Sequence, residues 1–183
     1  MRLIRSMARN YGYDARHVGI MGFSAGGHLA GIIETTYNKQ YYTPIDGADN
    51  HSARPEFVVL LYPVMTMLPP YDHTHSEKVL LGRDATPAQQ KALSVEKLVT
   101  PSTPPTFLAQ AEDDPISNIA NSKMMYQALQ DNHIPADIHL FPTGGHGWGM
   151  GAPGTPEQQW PQLFLTWLQK TFAGQVNKSQ TNP

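Results

Sequence analysis

The sequence predicts an α/β protein: a three-layer α/β/α sandwich on about four parallel strands. Three observations carry this. Apolar, strand-like runs alternate with helix-periodic segments along most of the 183 residues. One run, EFVVLLY at 56–62, is almost continuously apolar, as a strand covered on both faces should be. Another, HVGIMG at 17–22, leads straight into a glycine-rich turn and a helix, the step expected between parallel strands.

Each element follows in order. Leu3, Ile4, Met7, Ala8 and Tyr11 have helical spacing and predict a helix over 2–11. A turn at Gly12–Asp14 precedes the strand 17–22, and a helix over 25–37 carries Leu29, Ala30, Ile32 and Ile33 on its apolar side. Pro44, Gly47, Asn50 and Pro55 make 38–55 a long loop before the strand 56–62. Residues 63–104 are irregular, with short helices expected near 75–81 and 87–98. A strand at 105–111, a helix at 115–131 and a strand at 136–141 follow. The last helix, 156–172, lines up Trp160, Leu163, Phe164, Trp167, Leu168 and Phe172 in one stripe. Residues 1–172 therefore read as one domain, and 173–183 as a polar, frayed tail.

Composition narrows the function. Apolar residues make up 40% and charged residues 15%, which suits a packed core rather than a disordered chain. A net charge of −2 gives no basic footprint for nucleic acid or an anionic membrane surface. The absence of cysteine removes disulfides and thiolate chemistry without identifying a compartment. No apolar run approaches the roughly 18 residues of a membrane span, and the N-terminus lacks the apolar core of a signal peptide.

The chemistry centres on Gly22-Phe23-Ser24-Ala25-Gly26. G-x-S-x-G between a strand and a helix is a nucleophile elbow. The turn is expected to strain the backbone of Ser24 and to lift its hydroxyl clear of the sheet. Side chains two residues before or after would collide, which accounts for the glycines. The backbone N–H of Ala25, at the positive end of the following helix, is placed to receive an oxyanion. A serine hydroxyl alone is a poor nucleophile and needs a base with an orienting acid. GGHGWG, after the strand 136–141, offers His146 as base, and AEDDP, after the strand 105–111, offers the acid. Pro115 suits the first position of a helix, so Asp114 fits its N-cap. That leaves Asp113 as the preferred partner of His146, with Asp114 and then Glu112 as alternatives.

The other histidines fit structural roles better. His28 sits in the first turns after the elbow and reads as a packing or hydrogen-bonding residue. His73 and His75, in DHTHSE, have metal-like spacing but lie in a polar loop, so no metal site is assigned. Met65, Met67 and Tyr71 are candidates for lining a substrate pocket or, preferably, for core packing. Trp148 is expected either at the substrate or beneath the His146 loop.

The stretches GIMGFSAGGHLA, RPEFVVLLYPV, LLG, TPPTFLAQAEDDP, NSKMMYQAL and GGHGWG, in this order, resemble esterases of the α/β-hydrolase fold, in particular the acetylxylan esterase-like carbohydrate esterases. The resemblance covers about residues 3–172. It implies Ser24 as nucleophile, Asp113 as acid and His146 as base, a short-chain or acetyl ester as substrate, and no cofactor. It also implies a partial α/β-hydrolase fold. Such enzymes usually carry a further N-terminal part with the first strands and a His-Gly-Gly loop that supplies a second oxyanion donor. No such motif precedes Ser24, where the glycines are Gly12, Gly19 and Gly22. The expected consequences are impaired activity and an unpaired edge at the strand 17–22, open to self-association. A longer parent is compatible with a secreted or periplasmic location. Two rival functions remain at this stage: a peptidase of the same fold, and a hydrolase-derived binding module.

Overall fold

A computed structural model describes residues 1–179, with side chains through residue 173. Four parallel strands form one sheet in the order β1 (Ile20–Phe23), β2 (Val58–Leu61), β3 (Thr106–Ala111), β4 (Ala136–Phe141). Among the described residues, six α-helices accompany them: α1 (Arg2–Tyr11), α2 (Ala25–Thr36), α3 (His75–Leu81), α4 (Pro87–Ala92), α5 (Ala120–Asp131) and α6 (Trp160–Ser179). The expected α/β/α layering and strand number are both present.

Strand periodicity divides the core in two. Val58, Leu60 and Leu108 point to one face, where Ala30 of α2 and Met125 and Leu129 of α5 cover them. Val59, Leu61, Phe107 and Ala109 point to the other, against Trp160 and Trp167 of α6. All residues of β2 and β3 are buried. The apolar run at 56–62 is thus a strand roofed twice, and only its middle four residues join the sheet. Met65 and Met67 are fully buried, which makes them core rather than pocket lining. Trp148 packs edge-on against Tyr62 and Phe141, beneath the His146 loop.

Several boundaries differ from expectation. β1 starts at Ile20 because Ala15–His17 form a 3-10 turn capped by Asp14. The helix expected over 87–98 breaks after Ala92 into a 3-10 turn at Val95–Lys97. The helix expected over 115–131 begins only at Ala120, because Asp114 caps a tight turn in front of it. Residues 156–159 form a 3-10 turn before α6, and the described part of the polar tail, 173–179, continues that helix.

Helical spacing alone leaves the inward face of α1 open. Its span is as expected, but Leu3, Ile4 and Tyr11 are exposed, while Arg5 and Ala8 are buried. Arg5 is drawn inward by Glu56, 2.8 Å away, and by the carbonyls of Ala15 and Arg54. A charge-assisted network orients the helix against its apolar stripe.

Candidate active site

The elbow owes its shape to steric exclusion at β1. Ser24 has φ 52° and ψ −118°, a strained conformation for a residue with a side chain. Its N–H donates to Leu61 O, and its carbonyl accepts from Gly27 and Val64, so both sides of the bend are tied down. A Cβ on Gly22 would lie 2.2 Å from the carbonyl oxygen of Gly26. Gly26 itself has open space where a Cβ would go, contrary to the expectation that both glycines avoid collision. The second close approach belongs to Gly27, whose Cβ would stand 2.7 Å from Pro63. The elbow is therefore crowded at 22 and 27, not at 22 and 26. The N–H of Ala25 is the first of α2 and precedes the helix's own donors at Gly27 and His28.

The chain brings its distant residues together at the C-terminal ends of the strands. His146 Nε2 lies 2.8 Å from Ser24 Oγ, across 122 residues of sequence. His146 Nδ1 lies 2.8 Å from a carboxylate oxygen of Asp114, not of Asp113. A carboxylate only accepts, so Nδ1 carries the proton and Nε2 is free to accept from the serine hydroxyl.

The preference for Asp113 is corrected here, and the reason is chemical. Capping and orienting a histidine are not exclusive tasks for a carboxylate, which has two oxygens. Asp114 Oδ1 accepts from the N–H groups of Ile116 and Ser117 at 2.8 and 2.9 Å, the capping role anticipated from Pro115. Oδ2 remains for His146, and the Asp114 side chain has no exposed surface. Asp113 is exposed and accepts from Gly145 N at 2.8 Å. It braces the loop that carries His146 instead of the ring itself. Glu112, also exposed, enters only through its backbone, donating to Phe141 O.

A layer that sequence reasoning missed lies behind Asp114. Gln110, Ser117 and Ser122 are completely buried: Gln110 donates to the carboxylate and to Ser117 O and accepts from Ser122 Oγ. The available signal was Gln110 itself, an amide inside the apolar strand TFLAQA. Tyr62, also unanticipated, packs edge-on to the His146 ring at 5.0 Å between centroids. Burial pushes its hydroxyl pKa up, keeping the phenol neutral. His28 donates from Nε2 to Leu93 O, and burial holds its pKa down, consistent with a structural residue.

Two cavities adjoin the site. A polar cleft of about 210 Å³ beside Asp114 is lined by Tyr71, His73 and Asn118 among others. An apolar one of about 500 Å³ begins at Ala25 and runs between Leu29 of α2 and Val79 and Leu80 of α3. Among the described residues, no three His, Asp or Glu side chains gather as a metal site would require.

A parallel sheet with helices on both sides and a strained Ser–Gly elbow at its C-terminal rim defines a partial α/β-hydrolase fold. The chain belongs to the BD-FAE family, whose model matches residues 1–129. It is similar to an acetylxylan esterase of Xylanibacter ruminicola, 30% identical over 171 residues, covering 91% of this chain and 33% of that protein. It is also similar to endo-1,4-beta-xylanase B of Butyrivibrio fibrisolvens, 37% identical over 152 residues, covering 80% of this chain and 23% of that one. Among solved structures, an acetyl ester-xyloside bifunctional hydrolase from Caldicellulosiruptor lactoaceticus matches with a TM-score of 0.86 at 34% identity, over 93% of this chain and 62% of that one. A carboxylesterase from Lactobacillus plantarum matches with a TM-score of 0.74 at 26% identity, over 93% of this chain and 64% of that one. The chain thus spans a third or less of the curated relatives' length and under two thirds of these structures.

Proposed function

We propose that this chain is a serine esterase that cleaves short-chain carboxylic esters, with acetyl groups on xylan or related carbohydrates as its substrates. The observation that carries this is the continuous path Ser24 Oγ–His146 Nε2, His146 Nδ1–Asp114 Oδ2, each contact 2.8 Å. The names borne by the relatives, acetylxylan esterase and acetyl ester-xyloside hydrolase, support the acetylated-carbohydrate part.

The mechanism is two-step acyl transfer. His146 Nε2 takes the serine proton as Oγ attacks the ester carbonyl. The carbonyl oxygen becomes an oxyanion, and the Ala25 N–H with the α2 dipole stabilises it. Asp114 holds the Nδ1 proton in place and stabilises the imidazolium as it forms. His146 then returns the proton to the departing alcohol. Water, deprotonated by the same nitrogen, releases the acid from Ser24. Tyr71, His73 and Asn118 in the polar cleft suit the sugar side of the ester. Residues 1–172 act together as the catalytic domain.

The test is acetate release from acetylated xylo-oligosaccharides and hydrolysis of p-nitrophenyl acetate. The expected result is turnover by the chain and a fall of at least about 10³-fold in Ser24→Ala. Equal rates for the two proteins overturn the reading, as does failure of a fluorophosphonate to label Ser24.

A further inference from the structure

We propose that Gln110 is a positioning residue that fixes the angle of the Asp114 carboxylate toward His146. The inference rests on the esterase reading above and deepens it, since Gln110 acts through Asp114 and not on the reacting atoms.

Gln110 is near the end of β3, and strand alternation places it on the Leu108 face, beneath α5. An amide buried among aliphatic side chains is costly unless its hydrogen bonds are made. Here they are. Ser122 Oγ, from α5, donates to Gln110 Oε1 at 2.6 Å. Gln110 Nε2 donates to Ser117 O at 2.5 Å and to Asp114 Oδ2 at 3.3 Å. This arrangement admits one amide orientation. The reverse would set an amide oxygen against both a carbonyl and a carboxylate, with no proton between them.

The consequence lies in how Asp114 is held. Its Oδ1 is pinned by two backbone N–H groups, which leaves the carboxylate free to swing about that point. A second point of attachment on Oδ2 stops the swing. His146 cannot be that point, because its ring sits on a glycine-rich loop and must itself be oriented. Gln110 comes from a fully buried strand and is anchored by Ser122 and Ser117. The Gln110 contact, at 3.3 Å, is the longer of the two on Oδ2 and leaves the shorter one, 2.8 Å, to His146. The relay therefore extends inward from Ser24 through His146 and Asp114 to Gln110 and Ser122.

The test uses p-nitrophenyl acetate and the full chain, with rates expressed per serine titrated by fluorophosphonate, so that loss of folded protein does not register as loss of kcat. Gln110→Met has similar volume and no donor. It should lower kcat about 10- to 100-fold, the scale of a small misplacement of catalytic groups, with KM nearly unchanged. Gln110→His keeps one N–H and one acceptor and should recover most of that loss. Ser122→Ala removes only the anchor of the amide and should lower kcat about threefold. It decides the matter should the methionine variant fail to fold. Wild-type kcat in Gln110→Met, or in Ser122→Ala if only that variant folds, overturns the inference while the esterase reading stands. A wild-type chain that neither turns over ester nor is labelled overturns both.

Discussion

The two ends of β3 each hold a buried carboxyl group, and they are treated in opposite ways. Beyond the C-terminal end, Asp114 accepts from two backbone N–H groups, the Gln110 amide and His146. Four donors around two oxygens are what an ionised carboxylate requires to leave water. At the N-terminal end, Thr106, the first residue of β3, meets Glu34 of α2. Glu34 is fully buried, its second oxygen has no partner, and burial pushes its pKa up to about 8. The protons agree with a neutral Glu34. Thr106 Oγ1 has one proton but lies against two acceptors, Glu34 Oε1 and, at 3.0 Å, Pro104 O. A protonated Glu34 resolves this by donating to Thr106, which then donates to Pro104. One strand thus keeps a charged acid where its loop supplies N–H donors and a neutral acid where it does not. Burial alone does not decide the state of a carboxyl; the supply of donors does.

The largest expected effect would break the first half of that contrast. Asp114→Asn should lower kcat for p-nitrophenyl acetate by about 10⁴, because an amide in place of Oδ2 favours the wrong tautomer of His146. Asp113→Asn should cost about tenfold or less, since only the brace to Gly145 changes. The reverse ranking would return the orienting role to Asp113.

The next effect concerns Glu34 and is read in stability against pH. A folded pKa raised to about 8 means that the folded state binds more protons than the unfolded one above the ordinary carboxyl range. The contribution is fully present below the unfolded value, near 4.5, and is lost as pH rises to about 8. Thermal melts of Glu34→Gln, whose amide can donate to Thr106 as the protonated acid does, should lack this component. The variant should gain on the wild type between those pH values, by up to a few kcal/mol. A pH-independent difference between the two proteins would mean that Glu34 is not held neutral.

Two glycine substitutions sharpen the elbow. Gly22→Ala places a Cβ 2.2 Å from backbone at Gly26 and should cost more than about 3 kcal/mol and the activity with it. Gly26→Ala, in open space within α2, should be neutral or stabilising by up to about 1 kcal/mol. Urea unfolding of the pair checks both, and equal destabilisation would restore the symmetric reading of the motif.

These contrasts mark where the sequence was legible. Ser24 and His146 could be read because each stands in a local pattern with a local cause, a strand–turn–helix bend and a glycine-rich loop. The choice between Asp113 and Asp114 could not, because a residue name does not say which of two oxygens a cap consumes. Gln110 carried a faint signal as an amide within TFLAQA, but its partners Ser117 and Ser122 lie in other segments. The helical spacing of α1 was legible, and which side of it turns inward was not, because Arg5 and Glu56, 51 residues apart, set the helix's rotation.

By itself the sequence determined the order of strands and helices, the double roof over β2, and the bend at Ser24. Those follow from side-chain periodicity and from sterics between near neighbours. The tertiary structure alone decided which aspartate faces His146, which buried acid keeps its charge, and which side of α1 turns inward. Those depend on donors and charges that meet only after distant segments pack.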